Sequence, residues 1–343
     1  VKTQLAVPPF STVVNINGKL HFASEPPKEG KPKNSERPTH SGVLNQAKVS
    51  VFDRSYLYGD SLYEVVRTYS GEFFLLDEHL ERLRESAALC HLSLTQDLAF
   101  LKSEILRTYQ AFRQKFSELS PGCPPPEAYL RIVLSRGEGK IGFGLGCLES
   151  GTLYTIYVQE VAPPTPAQIQ KGLRLQIIPR LRNSPLALDP AMKSGNYLNS
   201  LLGYLEAQEA GFDDALLCNA DGHLTEGTTF NIFYIRNGLL ATPPLEIGIL
   251  DGITRRAVIA LARSLGLPVR EVRFPRERLY EADEVFITSS VREVFPVTAV
   301  DSAPGARFLA RKPGPITLQL REAYRQTIEK RSTSAKPQAR VKS

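Results

Sequence analysis

The stretch Val161-Ala162-Pro163-Pro164-Thr165-Pro166 constrains this chain more than any other, because its prolines can continue neither a sheet ladder nor a helix interior. It separates the 343 residues into two parts, each long enough to bury a core of its own. The expected organisation is an N-terminal α/β domain over residues 1–160, a linker over 161–168, a C-terminal domain over 169–328 and a basic, disordered tail over 329–343. Within the first domain, residues 25–45 shift to Pro, Gly, Lys, Ser and Glu, the composition of a mobile insertion.

A hydrophobic content of 42% with 23% charged residues is that of a globular protein. No apolar run approaches the roughly 20 residues of a membrane span, and Val1-Lys2-Thr3-Gln4 lacks a signal peptide's apolar core. Cys90, Cys123, Cys147 and Cys218 are scattered without a C-x-x-C pair, which reads as reduced thiols in a cytoplasmic protein. The net charge of +6 invites a nucleic-acid reading, but Lys330, Arg331, Lys336, Arg340 and Lys342 supply five of those charges after the last acid, Glu329. A short solvated basic end explains that excess, so no nucleic-acid partner is expected. Nor is a metal: His79 in Glu78-His79-Leu80-Glu81-Arg82-Leu83 has no second histidine four residues on, and is read as structural.

The pattern predicts a hairpin over 13–20 turning at Asn17-Gly18, a strand over 49–52, and strand or helix over 62–68. Leu80, Leu83, Ala87 and Leu89 recur at helical spacing behind Asp77 as the expected cap, and a second helix covers 97–119. Strands are expected at 128–135, 152–160, 173–179, 215–219, 231–236 and 284–288, with helices at 194–210 and 254–265. This is a mixed α/β (α+β) chain in two layers, not a Rossmann array.

Three features carry chemistry. Lys193 follows the rigid Asn183-Ser184-Pro185 to Asp189-Pro190 segment and precedes a helix. Glu226 follows a hairpin and precedes Gly227-Thr228-Thr229, small residues that allow close approach of a ligand. Gly252-Ile253-Thr254 has the form of an anion-binding helix start, with free N–H groups, a hydroxyl and a favourable dipole. Each alone suits an ordinary surface lysine, turn carboxylate or N-cap. Together they suit pyridoxal 5'-phosphate: a lysine for its aldehyde, an acid for its ring nitrogen and a helix start for its phosphate. Arg82 could add a cation there; alone it would pair with Glu78 or Glu85 on its helix surface.

Six segments, in order, resemble the class IV pyridoxal-phosphate aminotransferases: Asp53 to Glu64, Asp77 to Leu83, Lys193-Ser194-Gly195-Asn196-Tyr197-Leu198, Thr225-Glu226-Gly227, Gly252-Ile253-Thr254-Arg255 and Thr288-Ser289-Ser290 with Glu293-Val294-Phe295-Pro296. The resemblance implies a fold-type IV enzyme, with a smaller N-terminal and a larger β-rich C-terminal domain, the cofactor between them, and a homodimer. It implies that Lys193 is the Schiff-base lysine and proton shuttle and that Glu226 faces the pyridine nitrogen. Arg82, Ile253 (through its N–H), Thr254 and Ser290 would hold the phosphate. Tyr197 matches the tyrosine that hydrogen-bonds the ring oxygen in branched-chain enzymes, at a spacing from Lys193 one residue shorter than in some members.

For substrate, Ala128-Tyr129-Leu130-Arg131 resembles the Tyr-Ile-Arg motif of branched-chain enzymes, with Ile132 where a proline is usual. D-specific enzymes place Arg and His after the following Arg-Gly turn, whereas Arg136-Gly137-Glu138-Gly139-Lys140-Ile141-Gly142-Phe143 has neither. Tyr63 and Val65 resemble the D-enzymes and Arg67 the branched-chain group, while Tyr58 and Tyr63 would line the side-chain pocket. The expected activity moves an amino group between an amino acid, L- and branched-chain first, and a 2-oxo acid such as 2-oxoglutarate. A 4-amino-4-deoxychorismate lyase and a D-amino-acid aminotransferase are the alternatives. A non-catalytic nucleic-acid binder using the basic tail is the reading from another class.

Overall fold

The computed structural model describes residues 12–22, 47–302, 306–310 and 312–334. The insertion expected over 25–45 and residues 335–343 of the tail lie outside the described residues. The chain divides between Ala162 and Pro163, inside the proline-rich stretch, into two compact units.

The first unit contains β1 (Thr12–Ile16), β2 (Lys19–Phe22), α1 (Arg54–Tyr58), β3 (Ser61–Tyr69), β4 (Glu72–Phe73), α2 (Leu76–Leu89), α3 (Leu98–Leu119), β5 (Ala128–Ser135) and β6 (Leu153–Glu160). Its strands form an antiparallel sheet in the order β2-β1-β6-β5-β3-β4. Alternation along β5 sends Ala128, Leu130, Ile132 and Leu134 into a core shared with Leu80 and Leu83 of α2 and Ile105 and Phe112 of α3. The opposite face of the same strand carries Tyr129 and Arg131, both half-buried.

Two expectations in this unit are corrected. Residues 49–52 form no strand; Val49, Val51 and Phe52 are each at least half exposed, and the segment ends where the Asp53 carboxylate accepts from Ser55 N and starts α1. The N-cap of α2 is Leu75 in the left-handed region (φ 57°) rather than Asp77, which lies in the first turn and complements the helix dipole instead.

The second unit runs through α4 (Pro166–Lys171), β7 (Leu173–Leu181), α5 (Leu198–Glu209), β8 (Asp214–Cys218), β9 (Leu224–Gly227), β10 (Asn231–Arg236) and β11 (Leu239–Thr242). It continues with α6 (Ile253–Ser264), β12 (Val269–Glu271), α7 (Glu277–Tyr280), β13 (Glu284–Ser289), β14 (Glu293–Ser302), β15 (Ala306–Leu309) and α8 (Pro315–Ser334). The mixed sheet has the order β12-β11-β10-β13-β14-β7-β8-β9, with β15 on β14; β7 lies parallel to both β14 and β8.

Differences from the sequence reading have local causes. Helix α4 begins inside the expected linker because Thr165 and Gln168 form a capping box around Pro166 at the helix start. Helix α5 starts at Leu198, not at residue 194, since Ser194 N and Tyr197 N are used in tight turns to Met192 O and Gly195 O. The basic tail is not wholly irregular: α8 runs to Ser334, anchored by the buried Leu320, Tyr324 and Ile328, four residues apart. No helix among the described residues is long and apolar enough to cross a membrane.

Phe112 of α3 is fully buried in the core of the first unit. Phe112→Ala should lower the unfolding free energy by about 3–5 kcal/mol, read from urea midpoints; a loss below ~1 kcal/mol would contradict this core assignment.

Candidate active site

In the second unit, β9 delivers Glu226 into a closed environment, its side chain only 7% exposed. Three donors reach it. Arg182 Nη2 donates to Oε1 at 2.8 Å, Asn231 Nδ2 donates to Oε2 at 3.2 Å, and the Leu250 N–H donates to Oε2 at 3.1 Å. The half-buried Lys193 adds a fourth, longer-range influence, its charge acting on the same carboxylate. Burial pushes the Glu226 carboxyl above its ordinary range, and Arg182, the Leu250 N–H and Lys193 pull it back part of the way. The following residue has to be glycine: a Cβ on Gly227 would lie 2.1 Å from Cζ of Phe230.

The helix start at Gly252-Ile253-Thr254 is built from the same surroundings. Gly252 is the N-cap of α6 and makes no side-chain capping bond, which leaves the first-turn N–H groups without a side-chain acceptor at that position. A Cβ on Gly252 would meet Asn231 Oδ1 at 2.1 Å, so Asn231 dictates the glycine. Asn231 Nδ2 also donates to Leu250 O at 2.9 Å. Ile253 and Thr254 are buried, and the buried Arg255 ties the helix start to Pro243 O (2.9 Å) and Glu271 (2.7 Å).

Ser290 lies in the turn joining β13 to β14, where Arg292 N donates to Ser289 Oγ at 3.1 Å. Arg292 Nη1 reaches Asp214 Oδ2 at 3.3 Å, and Thr228 Oγ1 donates to Asp214 Oδ1 at 2.6 Å, so this turn is connected to the segment just after Glu226. Tyr197 is half-buried at the N-cap of α5.

In the first unit, the partner that holds Arg82 is Glu64 on β3, not an acid expected on its own helix surface. Arg82 is buried and forms a two-point pair with Glu64 through Nε (2.7 Å) and Nη2 (2.8 Å). His79 Nδ1 lies 2.7 Å from Glu64 Oε2, and an ionised carboxylate only accepts, so Nδ1 carries the proton. Burial raises the Glu64 carboxyl, but the Arg82 charge and the His79 and Arg82 hydrogen bonds overcome it and hold it at about 2.

The substrate candidates Tyr63, Arg67, Tyr129 and Arg131 lie on the paired strands β3 and β5, where Arg67 opposes Tyr129 and Val65 opposes Arg131. The Arg131 guanidinium sits 4.2 Å from the Tyr63 ring centroid, and that of Arg67 4.4 Å from Tyr69. Tyr58 is engaged with the loop after β5: its hydroxyl accepts from Gly142 N at 2.9 Å and its ring packs on Phe143.

Arg182, Asn231 and Glu64 escaped the sequence reading. Nothing in spacing marks Arg182, 44 residues from its partner. Glu64 had a signal: in an alternating strand it shares the apolar face of Leu62 and Val66, where an acid must have partners.

Comparison with known proteins decides the family. The class IV amino-transferase model matches residues 61–300. The chain belongs to the class IV aminotransferases. A protein of Methanocaldococcus jannaschii provisionally named a branched-chain-amino-acid aminotransferase is 38% identical over 284 residues, covering 81% of this chain and 91% of the relative. A D-alanine aminotransferase of Bacillus licheniformis is 34% identical, covering 83% and 93%. The crystal structure of the branched-chain amino acid aminotransferase of Thermobaculum terrenum, in its holo form with pyridoxal phosphate, aligns with a TM-score of 0.70 at 25% identity, covering 95% of this chain and 96% of that one. This chain is accordingly an enzyme of amino-group transfer between amino acids and 2-oxo acids, with pyridoxal 5'-phosphate as its cofactor. In this class IV aminotransferase Lys193, Glu226, Thr254 and Ser290 fall within the matched span, whereas Tyr58 and all of α8 fall outside it.

The folded carboxyl of Glu64 lies below its ordinary value of 4.5, so its contribution to stability is present above that pH and is lost as pH falls through about 2. Glu64→Gln should cost about 3–5 kcal/mol at neutral pH by stranding buried Arg82. The gap to the parent should close as pH falls towards about 2 in urea midpoints taken across pH. A gap independent of pH would contradict the ionised assignment.

Proposed function

We propose that this aminotransferase moves the amino group of L-amino acids, branched-chain ones first, to a 2-oxo acid such as 2-oxoglutarate. The proposal extends to a homodimer in the cytoplasm. One observation carries the placement of the cofactor: a buried acid, Glu226, under the charge of Lys193 and bonded to the Leu250 N–H just before an N-cap without a side-chain acceptor. These groups fit the aldehyde, ring nitrogen and phosphate of pyridoxal 5'-phosphate.

Pyridoxal 5'-phosphate held there would supply an electron sink for the pair left by breaking the substrate Cα–H bond. Glu226 keeps the ring nitrogen protonated by a charge-assisted hydrogen bond, and Arg182 holds the Glu226 carboxylate in place from Oε1. The Lys193 amine would serve as the proton carrier, taking the Cα proton and returning it at C4'. The N–H of Ile253 and the hydroxyls of Thr254 and Ser290 would hold the phosphate, and Tyr197 would bond the ring oxygen. The roles given to Arg82, Tyr58, Tyr63, Arg67, Tyr129 and Arg131 rest on the resemblance and on their own surroundings in the first unit. Preference for L-substrates is supported by Tyr129 and Arg131, two residues apart on one face of β5, and by a 136–143 segment without the D-specific Arg and His. The D-alanine aminotransferase relative favours the second reading, a D-amino-acid aminotransferase.

Mixing the loaded enzyme with single L- and D-amino acids, and following loss of the cofactor's aldehyde-form colour, separates the readings. L-Leu, L-Val and L-Glu should bleach it; bleaching by D-Ala alone would establish the D-reading, and repeated release of pyruvate from 4-amino-4-deoxychorismate without an amino acceptor would establish the lyase. Lys193→Ala should lower multiple turnover by at least roughly 10²–10⁴-fold. Appreciable turnover by that variant would refute Lys193 as the proton carrier.

A further inference from the structure

Glu293 opens β14 in a backbone conformation that a glutamate rarely adopts, φ 60°, yet it is fully buried. It directly follows the turn Ser290–Arg292 and closes the hairpin opposite Ser289. Three-residue hairpin loops commonly end in a left-handed residue, usually glycine. Here a charged side chain takes that place and is seized by α8. Arg325 Nε donates to Glu293 Oε2 at 3.0 Å, and Arg321 Nη2 lies 3.2 Å from the same oxygen. Arg321 Nη1 donates to Val294 O at 2.7 Å, so α8 holds both the side chain and the adjoining backbone. On its other side the same turn is tethered through Arg292 to Asp214 and Thr228.

We propose that Glu293 is a positioning residue: latched by Arg321 and Arg325, it fixes the turn that presents Ser290, and so makes α8 part of the phosphate-holding apparatus. This rests on reading Ser290 as a phosphate ligand. The latch lies partly outside the family span of 61–300, since α8 begins at Pro315. A left-handed glutamate without its arginines relaxes toward negative φ, which rotates the preceding turn and carries the Ser290 hydroxyl away from its position.

The test is equilibrium dialysis of the full-length apoprotein against pyridoxal 5'-phosphate and against pyridoxal, which lacks the phosphate. Arg325→Ala removes a side chain that is 39% exposed, and Glu293→Gln keeps the shape while removing the charge. Each should weaken pyridoxal 5'-phosphate by about tenfold, ~1.4 kcal/mol, while leaving pyridoxal unchanged. In a Ser290→Ala background the same substitutions should have no further effect. Equal weakening of both ligands, or an undiminished loss in that background, would show a general effect on the fold and overturn the latch. If Ser290→Ala weakens the phosphorylated ligand and the latch variants do not, the latch alone fails. If Ser290→Ala leaves its affinity unchanged, the reading of Ser290 fails and the latch with it.

Discussion

The burial of the Glu226 carboxylate organises the second unit. Removing a carboxylate from water costs several kcal/mol even after relaxation, and each hydrogen bond to the charged group returns about 1.5–3 kcal/mol. Arg182, Asn231 and Leu250 N come from three separate segments: the stretch just past β7, the first residue of β10 and the loop before α6. Those three segments must meet for the acid to be tolerated at all. The acid therefore acts as the point from which the candidate site is assembled.

Glu64 in the first unit solves the same problem and reaches the opposite outcome. Both carboxylates are almost fully buried, yet Glu64 is held at about 2 while Glu226 stays above its ordinary range. The difference lies in the donors. Glu64 receives two N–H bonds from one guanidinium and one from an imidazole, at 2.7–2.8 Å. Glu226 has one guanidinium bond and two neutral amides at 3.1 and 3.2 Å. Full ion pairing outweighs desolvation in the first case; in the second, desolvation still wins. Glu64 is thus satisfied within its own unit, whereas Glu226 is stabilised further by any ligand that brings a proton-bearing nitrogen.

What the sequence made legible follows from the range of each signal. The hairpin at Asn17-Gly18 and helices α3 and α6 were readable because turn chemistry and helical period act over a few residues. The strand expected at 49–52 failed because apolar residues alone do not form a strand without a partner edge. The start of α5 moved because Ser194 and Tyr197 spend their N–H groups in turns to Met192 O and Gly195 O, a local competition that propensity does not register. Glu226 and the helix start at Gly252-Ile253-Thr254 stood out as short motifs, whereas Asn231 and Leu250, which join them, and Arg182, which holds the acid, did not. Arg182 is an arginine among others until the sheet brings the end of β7 beside the acid of β9.

The placement of Leu250 shows how the two ends of the site are mechanically one. Its N–H donates to Glu226, its C=O accepts from Asn231, and two residues later Gly252 opens α6. Asn231 Oδ1 occupies the space beside Gly252, while Asn231 Nδ2 contacts the acid. A buried acid and a helix start without a side-chain cap therefore share one short backbone segment and one amide side chain. Neither can shift without moving the other. Groups fixed in this way would need little reorganisation if charge moved beside them, the condition under which preorganised dipoles and charges lower a barrier most.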